Sequence, residues 1–72
     1  MSKTPDQLMQ ILSAGGGLIL DAATRPPDQL MQMAAAAAGT GATLILRNAE
    51  YRALADLVNI AAAGRGRVIF EL

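Results

Sequence analysis

The sequence predicts an α/β fold: three helix–strand repeats that form a small parallel three-stranded sheet with helices mainly on one face. Three observations carry this reading. The hexapeptide Pro-Asp-Gln-Leu-Met-Gln occurs twice, starting at Pro5 and at Pro27. Three short apolar runs, Leu18-Ile19-Leu20, Leu44-Ile45-Leu46 and Val68-Ile69-Phe70, start 26 and 24 residues apart. Each run follows a Gly-rich turn, and a helix-like stretch lies before each turn. Self-similarity at this period marks stacked supersecondary units, either a solenoid-like stack or a small open α/β layer. The units span about 4–22, 25–48 and 49–72, and 72 residues limit the chain to a single domain.

Thr4-Pro5-Asp6-Gln7 reads as the start of the first helix, with Thr4 as N-cap, Pro5 at the first helical position and Gln7 closing a capping box. Leu8, Ile11 and Leu12 are its apolar positions. Aligned on the hexapeptide, this unit lacks four residues of the next. That is close to one helical turn, so the helix is shortened while its apolar face stays nearly in phase. Pro26-Pro27 cannot continue a strand and sets up the second helix, whose apolar stripe is Leu30, Met33, Ala34 and Ala37, spaced i, i+3, i+4, i+7. Leu54, Leu57, Val58 and Ala61 repeat that spacing in the third helix, for which Asn48 is the expected N-cap and Glu50 a first-turn residue. Asp6 and Asp28 fall in first turns, where the helix dipole favours a carboxylate. The glycines after each helix suit left-handed C-caps. Met9 and Met31 occupy matching repeat positions beside core leucines and are assigned to helix–helix packing, with an adaptable interface as their other role.

Crossovers between parallel strands are right-handed, so strands lying in sequence order place the second and third helices on one face, and the first helix joins them. The alternative is a 2-1-3 strand order with helices on both faces. Period-two alternation then divides the strand residues. Leu18, Leu20, Leu44, Leu46, Val68 and Phe70 are the bulkier set and should meet the helices. The other set forms three rows across the sheet: Gly17, Thr43 and Arg67; Ile19, Ile45 and Ile69; and Asp21, Arg47 and Glu71. The last row alternates in charge, so neighbours in register would attract.

Composition narrows the function classes. Six basic and six acidic residues balance, and Tyr51 and Phe70 are the only aromatic residues. A nucleic-acid binder needs a basic excess and stacking surfaces, so nucleic acid is not an expected partner. The uncharged stretch 29–46 approaches the roughly 20 residues of a membrane span. It contains Gly-Thr-Gly and several polar residues, however, and reads as helix, turn and strand, with no membrane association. The N-terminus lacks the apolar core of a signal peptide. With no cysteine present, a reducing, cytoplasmic setting is expected. The absence of both Cys and His removes disulfide staples, the usual zinc ligands and the common nucleophile–base pairs. Gly39-Thr40-Gly41 looks like a phosphate loop, but it follows a helix and precedes a strand, which reverses the required order. No catalytic residue, metal site or cofactor is therefore expected.

These features lead to a non-enzymatic protein–protein interaction or self-assembly module, with the open sheet face as its contact surface and Ile19, Ile45, Ile69, Asp21, Arg47 and Glu71 as interface residues. The alternative is a small ligand-binding or enzyme-associated domain that uses the charged row or the Gly-rich turns. A chain this short has a thin core and no covalent staple, and three isoleucines in a row facing water would form a sticky stripe. A homo-oligomer is expected: a face-to-face dimer first, and second an edge-paired assembly in which the third strand meets the first strand of another copy. A protein partner is the further possibility. The organisation resembles α/β solenoids in general, without the Asn ladder and strict Leu spacing of leucine-rich repeats, and no residue role carries over from them.

Overall fold

The computed structural model describes residues 5–72. Both hexapeptide copies start helices, α1 (Pro5–Ser13) and α2 (Pro27–Thr40). The three apolar runs form the strands β1 (Leu18–Asp21), β2 (Leu44–Arg47) and β3 (Val68–Phe70), and α3 (Leu54–Gly64) precedes the last of them. The strands are parallel and lie in the order β1-β2-β3. Their register pairs Ile19 with Ile45 and Ile45 with Ile69, and Asp21 with Arg47. The three helices lie side by side, α1 on α2 and α2 on α3. Sequence order thus holds for the strands, and the fold is a two-layer α/β body.

The core lies between these layers. Leu44 and Leu46 are buried, Leu18, Leu20, Val68 and Phe70 pack against the core, and Ile19 and Ile69 are exposed on the opposite face. On the helix side, Leu8, Leu12, Leu30, Met33, Ala34, Ala37 and Ile60 are buried. Full burial of a side chain such as Leu30 or Met33 stabilises by about 1.5–3 kcal/mol. Met9 and Met31 are half-buried against this cluster, in agreement with a packing role. The Thr40 hydroxyl at the end of α2 donates to the Leu12 carbonyl of α1 at 2.7 Å and ties these two helices together.

Several local expectations need correction. Thr4, the expected cap of α1, lies outside the described residues. Ile11 is more exposed than its place in the predicted stripe implies, while Leu8 and Leu12 are buried as expected. Asn48 does not cap α3: it adopts a left-handed conformation (φ 59) and leads into a single 3-10 turn, Ala49–Tyr51, that buries Ala49. The chain is extended at Arg52 and Ala53, and α3 starts only at Leu54, with Asp56 rather than Glu50 in its first turn. Gly15 and Gly41 take the expected left-handed conformation, but the C-cap of α3 is Arg65 (φ 49), followed by Gly66 (φ 87).

Most of the predicted apolar stripe of α3 is also turned away from the core, with Leu57 alone of the four packed against it. Leu54, Val58 and Ala61 are exposed, and Leu57 is half-buried. The residues α3 buries are Ile60 and Gly64, with Ala63 packed beside them. The cause is the position of the unit in the stack. α2 has a helix on each side and buries its whole stripe, whereas α3 has a helix on one side and turns its Ile60–Gly64 edge towards it.

Gly64 is where α3 comes closest to its own strand. A Cβ there would overlap Val68 Cγ2 and would lie 3.4 Å from Ala34 Cβ. Gly64→Ala should therefore destabilise the fold by about 1–3 kcal/mol, the usual cost of overpacking, measured by urea unfolding. Arg65→Gly should act in the opposite direction. A left-handed conformation costs an ordinary residue about 1–2 kcal/mol, part of which is returned by the greater chain entropy of glycine. The same measurement should show a net gain of about 0.5–1 kcal/mol.

Candidate interaction surface

The open face of the sheet is built from the second set of strand residues. Ile19 is 63% exposed and Ile69 51% exposed, and Ile45 is half-buried between them. All three lie in direct parallel register, so their side chains form one continuous row across the sheet. Leu and Val on the core face would serve a strand equally well whatever lay on this side. Three isoleucines here instead give a β-branched apolar surface that no helix among the described residues covers.

The charged row lies at the C-terminal ends of the strands. Arg47 Nε stands 3.6 Å from Glu71 Oε1, with both side chains more than half exposed. A solvated pair of this kind contributes about 0–1 kcal/mol. The attraction expected on the other side of Arg47 is replaced by a different arrangement. Asp21 Oδ1 accepts the Ala23 N–H at 2.8 Å, and Asp21 Oδ2 accepts Asn48 Nδ2–H at 3.2 Å. Asp21 therefore organises the turn after β1 and links it to the turn after β2. The left-handed backbone of Asn48, a conformation that asparagine tolerates well, accompanies this contact.

Arg52 was not singled out in the sequence, where it falls in the expected start of the third helix, and no sequence pattern would have found its role. Its Nε donates to the Ala22 carbonyl at 2.7 Å, and its Nη2 donates to the Arg25 carbonyl. The guanidinium thus pins the β1–α2 connection from the far side of Asp21. It also explains why the chain between β2 and α3 is held extended at Arg52 instead of continuing as helix.

Arg47, Asn48, Glu50, Glu71 and Leu72 line a shallow depression of about 120 Å³ at the end of the charged row. Asp21 does not line it. Pockets that enclose a small organic ligand generally occupy about 300–1,000 Å³, so this hollow is too small to bury one. Among the described residues, no three Asp or Glu side chains come together as a metal-binding group. Also among the described residues, no helix is long and apolar enough to cross a membrane. The six predicted interface residues therefore share one sheet face: the isoleucines as its apolar centre, Arg47 and Glu71 as a solvated pair and Asp21 as a turn-organising acceptor.

The two polar clusters should differ sharply in their effect on stability. Arg52→Ala removes two hydrogen bonds from a charged donor and should cost about 1.5–3 kcal/mol in urea unfolding. Glu71→Gln, which weakens only a solvated pair, should cost less than about 1 kcal/mol in the same experiment. Equal costs would contradict this division of roles. No protein-family model matches this chain, and neither a curated protein nor a solved structure matches it.

Proposed function

We propose that the chain is a non-enzymatic protein–protein interaction or self-assembly module that makes contact through the open face of its sheet. The observation that supports this reading is the Ile19–Ile45–Ile69 row, aligned in register on a face that no layer of the described residues covers. Burying apolar area at a contact is the main favourable term in association, and about 25 cal/mol is gained per Å² removed from water. A flat sheet face suits another flat apolar protein surface, and a second copy of the same face is the simplest such surface. The charged row at one end of the isoleucines supplies a polar rim, which favours particular orientations of a partner over others.

Static light scattering on the purified chain at micromolar concentrations is expected to show association. Ile19→Lys and Ile45→Lys each place an ammonium within the apolar row and should weaken any contact made through this face, to a second copy or to another protein, about tenfold or more, because a buried unpaired charge is costly. A wild-type chain that remains monomeric across this range and retains no added protein on an affinity column would contradict the proposal.

A further inference from the structure

We infer that two copies of the chain join at the β3 end as a closed two-fold dimer. In this dimer β3 pairs antiparallel with β3 of the partner subunit, and the outer stripes of the two α3 helices pack on each other. The inference rests on the self-assembly reading above and places the joint between copies at the edge of the sheet.

The free edge of β3 sets the register. The Leu44 N–H donates to the Arg67 carbonyl at 2.8 Å, and the Glu71 N–H donates to the Leu46 carbonyl at 2.9 Å. Arg67, Ile69 and Glu71 therefore direct their backbone groups towards β2, and the alternating residues Val68 and Phe70 direct theirs outward. A two-fold axis through Ile69 sets Val68 opposite Phe70 of the partner subunit, and Phe70 opposite Val68 of the partner subunit. Both become pairs that exchange N–H···O bonds, with the two Ile69 side chains meeting between them. On the open face the same register sets Arg67 opposite Glu71 of the partner subunit, twice by symmetry. Opposite charges in directly opposed positions stabilise a strand pair. The run Arg67-Val68-Ile69-Phe70-Glu71 is thus complementary to itself when reversed, in charge and in hydrogen bonding.

The helix layer points to the same end. Leu30, Met33, Ala34 and Ala37 are fully buried in α2, and the residues 24 positions later are Leu54, Leu57, Val58 and Ala61. Of these, Leu54 is 75% and Val58 57% exposed. Apolar residues that the repeat buries in its middle unit are left uncovered in its last. Val58 lies near the middle of α3 and Ile69 in the middle of β3, so one axis can serve both layers. An antiparallel helix pair about Val58 sets Leu54 of one copy against the alanines near the other end of its partner, large against small.

Head-to-tail growth fits less well. Continuing the parallel register from β3 onto β1 of another copy would set Glu71 beside Asp21 of the partner subunit, a like-charge pair. It would also bring the Leu54 and Val58 stripe against the groove on α1 lined by Gln7, Gln10, Ile11 and Ala14, where two amides replace apolar surface. The two-fold arrangement has neither fault. It makes one six-stranded sheet in which the isoleucine row doubles in length. The sign alternation of Asp21, Arg47 and Glu71 then continues into Arg67 of the partner subunit.

The test uses charge reversal and mixing. Sedimentation equilibrium of the wild-type chain should give a discrete dimer. Arg67→Glu and Glu71→Arg should each weaken it about tenfold or more, because attraction becomes repulsion at both symmetric contacts. An equimolar mixture of the two variants should recover a dimer, since each introduced charge then faces its opposite. That recovery also shows both variants to be folded. Val58→Glu should weaken the dimer as well, whereas Gln10→Lys, on the outer groove of α1, should leave it intact. Four results would overturn the inference: a wild-type monomer, masses that grow past the dimer, reversed variants that associate like wild type, or a mixture that stays monomeric. If Ile19→Lys abolishes association while Arg67→Glu does not, the edge dimer falls and the open-face reading stands. If Arg67→Glu and Val58→Glu abolish it while Ile19→Lys does not, the dimer stands and self-association through the open face falls.

Discussion

The structure depends on how closely α2 can approach its neighbours. Packed helices stand about 8–10 Å apart, whereas neighbouring strands stand about 4.7–4.9 Å apart, so three helices spread wider than three strands. Small side chains bring the helix spacing towards the low end of that range. The run Ala34–Ala38 supplies them on α2, and Gly64 supplies the corresponding gap where α3 meets Val68 and Ala34. Leu30 and Met33 then provide the bulk that reaches the sheet. An alanine-rich helix would bury too little area to hold a fold on its surface, but here it is touched on both sides and from below. The mismatch does not disappear. It is passed to the ends of the stack, where α3 keeps a helix on one side only and exposes the stripe that α2 buries.

With so thin a core, the connections between layers have to be held by polar contacts at its margin. No polar or charged side chain is buried among the described residues, so none of these contacts carries the cost of a buried charge. They are placed at chain reversals instead. Thr40 reaches back to α1, Asp21 joins two turns through Ala23 and Asn48, and Arg52 grips two carbonyls of the β1–α2 connection. The Arg47–Glu71 pair is different in kind, since it lies in water on the open face. As a solvated pair it adds little to holding the chain together.

How legible each feature was in the sequence follows from the range of the interaction that sets it. The duplicated hexapeptide marked two helix starts because proline and a first-turn aspartate act within a few residues. The sheet faces followed from period-two alternation, and Ile19, Ile45 and Ile69 emerged in one row because the three units keep the same register. The start of α3 was not legible. Asn48 and Glu50 resemble a helix N-terminus locally, but Arg52 is held by carbonyls about thirty residues earlier in the chain, and that contact keeps the segment extended. The exposure of Leu54 and Val58 was hidden for another reason. Their spacing matches that of the buried stripe of α2, and spacing alone carries no information about whether a neighbour is present on the outer side.

A repeat protein made of similar units has two unlike ends, and here they differ in chemistry as well as direction. The groove on α1 combines Gln7 and Gln10 with Ile11 and Ala14, so the first helix meets its surroundings with a mixed surface. The far side of α3 carries Leu54 and Val58, and the strand beside it carries an edge with Arg67 and Glu71 on either side of Ile69. If both ends were equally apolar, each copy could add another at either side, and growth would have no natural stop. In the proposed two-fold dimer an asymmetric pair of ends would avoid this: the apolar end would meet its own kind and leave the mixed ends facing outward. Such an arrangement lengthens the isoleucine face at Ile69 and leaves Ile19 and Ile45 uncovered, because the face lies at right angles to the direction of stacking. Under the proposed two-fold dimer, the end of the repeat would set the number of copies while most of the face stayed open to another surface.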